Sequence, residues 1–133
     1  MSRLHLTFAC GSLTLAGSLD TAPGHTGLLI VSGGNEIRSG AFSGQAHLAA
    51  SIARAGFPVF RLDRRDDTRT GLAEYSGNVR FLLATADRTA QHFDALWDAA
   101  DPRIARCAGA GHSYVESGQR EWLKSQVLAA LRA

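Results

Sequence analysis

Cysteine is nearly absent from this chain. Two thiols, Cys10 and Cys107, are spread over 133 residues. No C-x-x-C spacing occurs, which excludes a zinc ribbon and a thioredoxin-like dithiol. Each thiol lies in an apolar, strand-like run, so both read as reduced core thiols of a cytoplasmic protein. Long apolar runs are missing as well: nothing approaches the roughly 18 residues of a membrane span. The N-terminal "MSRLHLTFACGSLTL" alternates apolar residues with His5 and Thr7, the pattern of a half-buried strand rather than a signal peptide. A membrane partner is therefore not expected. Charge of one sign is also scarce. The net charge is +2, and arginine dominates the positive side without clustering. Its densest group, Arg61, Arg64, Arg65 and Arg69, is interrupted by Asp63, Asp66 and Asp67. Nucleic acid needs a concentrated basic stripe to neutralise phosphates, so that partner is not expected either. Neither G-x-G-x-x-G nor G-x-x-x-x-G-K-[ST] occurs, which leaves no support for a nucleotide cofactor. H-x-x-x-H and H-E-x-x-H are absent, and His5, His25, His47 and His92 are isolated. No metal and no cofactor are expected.

What is present is the composition of one globular domain spanning residues 1–133, with 45% apolar and 20% charged residues. Leu4, Leu6, Phe8 and Cys10 alternate with polar or small residues, and the alternation resumes after Gly11 at Leu13, Leu15, Gly17 and Leu19. Period two on both sides of a turn predicts an antiparallel hairpin. "GLLIVSGG" is a continuous apolar run ending in glycine, as expected of a strand covered on both faces. "AFSGQAHLAASIARAGFP" predicts a helix with Leu48, Ala49, Ile52 and Ala53 as its apolar stripe. Gly56 is its stop and Pro58 prevents continuation. "PVFRLD" and "NVRFLLAT" are further strands. The second leads into a helix carrying Phe93, Leu96, Trp97 and Ala100. "RIARCAGAG" is a short last strand, and a helix over residues 116–131 carries Leu123, Val127, Ala130 and Leu131. The order is hairpin, β-α-β, a polar linker at residues 64–77, then β-α-β-α. It predicts an α/β, three-layer fold whose sheet is mainly parallel after the N-terminal antiparallel hairpin.

Ligands of open parallel sheets bind beyond the carboxyl ends of the strands. Those ends here carry Ser32, Gly33, Gly34 and Asn35; Asp63; Asp87; and Gly111, His112 and Ser113. Asp87 and His112 are the useful pair, since a carboxylate can fix an imidazole tautomer and stabilise its protonated form. A plainer alternative has Asp87 capping the following helix and His112 as a polar loop residue. The glycine-rich "SGGNEIRSG" can offer backbone N–H groups to an oxyanion, or it is a tight turn that needs glycine. Arg38 and Asn35 can orient an anionic or polar substrate, or face solvent.

The order of these pieces resembles an α/β-hydrolase. "LLIVSGGNEIRSGAFSGQAHLAASIARAGFPVFRLDRR" is similar to the N-terminal half of the exosortase-A-system-associated hydrolases. "FLLATADRTAQHFDALW" and "GAGHSYVESGQREWL" are similar to their C-terminal part. The resemblance implies that Asp87 is the triad acid, that His112 is the base, and that Gly33, Gly34 and Asn35 contribute to an oxyanion hole. It also exposes a departure. The family's nucleophile elbow, G-x-S-x-G or its cysteine form, has no counterpart, and residues 64–77 stand where it would be. The chain reads as a truncated α/β-hydrolase with its central region missing.

Two function classes follow. One is a minimal, carboxylesterase-like hydrolase of small ester-type substrates, with His112 activating water or a nucleophile other than an elbow serine. Candidate nucleophiles are Ser32, Ser39, Ser76 and Ser113. The other is a non-catalytic remnant, or a small-molecule or protein-binding module of the same fold with Arg38 as an anion clamp. Without the central strands, apolar sheet surface and strand edges lack cover, which predicts a homodimer or higher homo-oligomer with swapped elements as one route.

Overall fold

A computed structural model describes residues 1–31, 38, 40, 43–62 and 76–133. The chain is α/β. Its described strands are β1 (Arg3–Cys10), β2 (Leu13–Asp20), β3 (Leu28–Val31), β4 (Val59–Leu62), β5 (Phe81–Ala84) and β6 (Ile104–Cys107). Its described helices are α1 (Gly44–Arg54), α2 (Arg88–Leu96) and α3 (Ser117–Arg132). The chain divides into two compact units, Met1–Tyr75 and Ser76–Ala133.

In the first unit, β1 and β2 form the expected hairpin, with Cys10 opposite Leu13. Gly11 turns the chain at φ 59°, where a side chain would be strained. The sheet runs β1-β2-β4-β3. β2 pairs antiparallel with both β1 and β4, and β3 pairs parallel with β4. With the parallel β5–β6 pair of the second unit, the described pairings are two antiparallel and two parallel.

The register assigns each face of the first sheet its chemistry. One face carries the rows Arg3–Asp20–Val59 and His5–Ser18–Arg61. It is covered by α1, whose Ala49, Ile52 and Ala53 are buried with Val59. Asp20, Ser18 and Arg61 are buried beside them. Arg3 Nε donates to Asp20 Oδ1 at 2.7 Å, and its Nη2 donates to the α1 carbonyl of Ala46 at 3.0 Å. The opposite face carries Leu4–Leu19–Phe60–Leu29 in register. Gly17 leaves the space in which the Phe60 ring lies: a Cβ there would meet the ring at 2.5 Å. Phe8 packs on the same ring at 5.8 Å.

β3 departs from the sequence expectation. Among the described residues it pairs on one side only, with β4, and Leu29 is 57% exposed. The apolar run reports a strand suited to burial on both faces, but cover on each face must come from elsewhere in the structure. The stop of α1 is as expected: Gly56 adopts φ 100°, and its N–H donates to Ala53 O.

The second unit is a two-stranded parallel sheet with α2 and α3. Phe81, Phe93 and Trp97 form one aromatic cluster, with ring separations of 5.0–5.2 Å. Ala84, Cys107 and Ala110 form the other cluster, against which Tyr114 and Trp122 pack. Cys107 is a buried free thiol, as expected; the Cys10 side chain lies outside the described residues. α2 ends earlier than its apolar spacing predicts. Trp97 is already extended, and Ala100 is in a turn closed by Asp98 Oδ1. Leu96 is 70% exposed instead of joining the stripe. Trp97 Nε1 donates to Asp101 Oδ2 at 2.8 Å, and this bond holds the indole after the helix has stopped. Among the described residues, no helix is long and apolar enough to cross a membrane.

Candidate functional site

The site is built where β5 and β6 end. Their parallel pairing continues past the strands through Thr85 N–H to Cys107 O (3.2 Å) and Ala86 N–H to Ala110 O (2.9 Å). Gly109 N–H donates to Thr85 Oγ1 at 2.8 Å, and Gly109 turns at φ 69°, a region that favours glycine. Gln91 Nε2, one turn into α2, donates to Thr85 O at 2.8 Å. Thr85 is thus bound by both loops. The two strand ends, one leading to Asp87 and the other to His112, are fixed against each other.

Asp87 divides its carboxylate. Oδ1 accepts from Thr89 N–H at 3.1 Å and caps α2. Oδ2 lies 3.0 Å from His112 Nδ1. The capping and pairing alternatives posed by the sequence are therefore both present, one on each oxygen. Partial burial pushes the Asp87 carboxyl up. Hydrogen bonds from His112 and from the Thr89 and Ala90 amides, with the charge of the imidazole, outweigh it and hold the group below the usual carboxylate range. An ionised carboxylate only accepts, so the proton between the two groups belongs to Nδ1. In the neutral imidazole that leaves the lone pair on Nε2, the arrangement a general base needs. The His112 side chain is 58% exposed, while Asp87 is mostly covered.

Tyr114 is the residue of this site that strand-end reasoning did not find. Its backbone is left-handed at φ 47°, uncommon for a bulky side chain, and its N–H closes a turn onto Gly111 O at 3.1 Å. Its ring stacks on Trp122 of α3 at 6.3 Å, with planes 9° apart. Burial pushes its phenol up to about 12, and the negative potentials of Cys107 and Asp87 add to the effect. The turn that presents His112 is thereby anchored to α3. The only sequence signal was an aromatic two positions after the histidine.

The other expected residues are distributed as follows. Ser113 follows His112 on the same turn and is half-buried. Ser76 is exposed at the start of the second unit. Arg38 belongs to the first unit, where its Nε donates to Ser18 Oγ at 3.2 Å and its carbonyl accepts from Arg61 Nη1 at 2.6 Å. Ser32, Gly33, Gly34, Asn35 and Ser39 lie outside the described residues, as do Asp63 and most of the linker at 64–77. Among the described residues, no group of three histidine, cysteine or acidic side chains is arranged to hold a metal ion.

No protein-family model matches the chain, and no curated protein matches it in sequence.

Proposed function

We propose that the chain is a minimal hydrolase of small ester-type substrates, with His112 as general base and Asp87 as the group that orients it. The observation that carries this reading is the 3.0 Å contact between His112 Nδ1 and Asp87 Oδ2, on strand ends tied together through Thr85. In the step proposed, Nε2 takes a proton from water or from a hydroxyl nucleophile. The oxygen so activated adds to the ester carbonyl, and the imidazolium returns the proton to the departing alkoxide. Asp87 stabilises the imidazolium without itself being protonated. Alkoxide leaving groups need less assistance than amines, which favours esters over amides. Ser113 is the nucleophile candidate nearest His112 in the chain; Ser32, Ser39 and Ser76 are the others.

The finer fold reading belongs to the same proposal: a three-layer, truncated α/β-hydrolase-like arrangement in which Asp87 precedes His112 in chain order, as acid precedes base in that family. The missing centre of the fold further proposes a homo-oligomer, and a cytoplasmic location accords with the free Cys107 thiol.

The test is a panel of activated esters with wild type, H112A and D87N. Hydrolysis should fall by about 10²-fold or more in H112A, the typical contribution of a positioned base. Undiminished hydrolysis in H112A would refute the mechanism, and no hydrolysis by wild type would favour a binding module.

A further inference from the structure

The first sheet is inverted with respect to its cover. The face under α1 holds a buried carboxylate and a buried guanidinium, Asp20 and Arg61, with Ser18. The face away from α1 holds Leu4, Leu19, Phe60 and Leu29 in one row and Leu6 and Leu62 in the next. Leu4, Leu6 and Leu29 are 45%, 42% and 57% exposed. The described side chains of that face include no charged and no polar residue. Leu19, Phe60 and Leu62 between them are half-buried. Buried polar groups opposite a partly exposed apolar surface are the informative departure from ordinary packing, and they mark an interaction surface.

We infer that this face packs against the same face of a second copy of the chain, forming a two-fold sandwich of sheets. Three observations select that occupant. The surface is uncharged, so its own copy meets it without like-charge repulsion, as an isologous contact requires. Its size fits: two strands of eight residues and two of four, spaced about 4.8 Å apart, present roughly 400 Å² of flat area. Side-chain relief raises this toward the lower end of the roughly 600–1,000 Å² per partner that specific interfaces bury. The relief is also suited to a facing sheet. Gly17 lets the Phe60 ring lie down across the strands, leaving a low surface with leucines projecting around it. Aligned sheets pack about 10 Å apart through such interdigitating side chains. The inference is independent of the hydrolase reading, because none of these residues belongs to the Asp87–His112 site.

The test is sedimentation equilibrium of the full chain over a wide concentration range, with wild type, L6K and L29K. Wild type should be a dimer, and each lysine should raise the dissociation constant at least about tenfold, since it places an unpaired charge within an apolar contact. Far-UV circular dichroism should be unchanged. A monomeric wild type overturns the inference, and so does a dimer indifferent to both substitutions. Binding of monomers to phosphatidylcholine vesicles, scored by flotation, also overturns it, because the face then meets lipid. Should the lysine variants fail to fold, amide exchange of wild type decides. Protection at residues 4–8 and 28–30 that rises with protein concentration supports the contact, and protection independent of concentration overturns it.

Discussion

At the scale of single residues, Asp87 does two jobs with two oxygens, and the two can be separated. In D87N the single amide oxygen accepts from Thr89 or faces His112, not both, so His112 meets an amide donor or, at the cost of the cap, a weaker acceptor. The preference for Nδ1–H is lost, and Nε2 no longer reliably carries the lone pair. Imidazole ¹⁵N spectra should show a shift in tautomer population, and ester hydrolysis should fall by about 10²–10⁴-fold with the fold intact. The low Asp87 carboxyl has its own signature in stability. Its folded-state value is depressed, so its contribution is present above the unfolded value near 4 and is lost as pH falls through the folded one. The stability difference between wild type and D87N should therefore close on acidification below about pH 4, as read by denaturant melts. Tyr114 behaves in the opposite sense. Its raised phenol contributes below the unfolded value near 10 and loses that contribution as pH rises through about 12. Ultraviolet titration should find one of the two tyrosines ionising near 12, and Y114F should remove that step. Asp87 and His112 were legible in the sequence because strand ends are marked by local apolar runs. Tyr114 was not, because its burial and its electrostatic neighbours come from three separate segments.

At the scale of elements, what was legible followed from local pattern. Alternation about Gly11 located the hairpin, and the spacing of Ala49, Ile52 and Ala53 located the buried stripe of α1. What was not legible depended on partners distant in the chain. "GLLIV" has the composition of a strand covered on both faces, but among the described residues β3 pairs only with β4 and Leu29 is exposed. Residues 93–100 carry helical spacing, but the Asp98 and Asp101 side chains bind the chain beyond Trp97 and end α2. Gly17 is a further case, unremarkable as a small residue in a strand and decisive once Phe60 lies over it. G17A places a Cβ 2.5 Å from that ring. The ring must turn away, and overpacking of this kind costs about 1–3 kcal/mol. Thermal melts should show the loss. F60L, which removes the obstructing ring, should recover part of it in the double variant. An additive pair would mean that the two positions do not meet.

At the scale of the whole molecule, charge leaves association to the apolar surface. A net charge of +2 provides little long-range repulsion between copies, and the described side chains of the apolar face of the first sheet carry no charge. Association through that face should be governed by removal of apolar area from water. Three dependences follow. Screening salt acts on charges, so raising ionic strength from low to physiological values should leave the dissociation constant nearly unchanged, whereas an ion-paired contact would weaken. Apolar stabilisation fades on cooling, so the dimer should loosen toward 0 °C. Burial of apolar area gives association a negative heat-capacity change, readable by dilution calorimetry at several temperatures. The surface arginines offer the contrasting expectation. Arg103 and Arg106 are already paired with Asp101 and Asp94 at 2.7 and 2.6 Å, which leaves them poorly placed to organise a salt-sensitive contact. A dimer that dissociates in salt and tightens in the cold would assign the contact to charged residues. It would leave the inverted sheet without its partner.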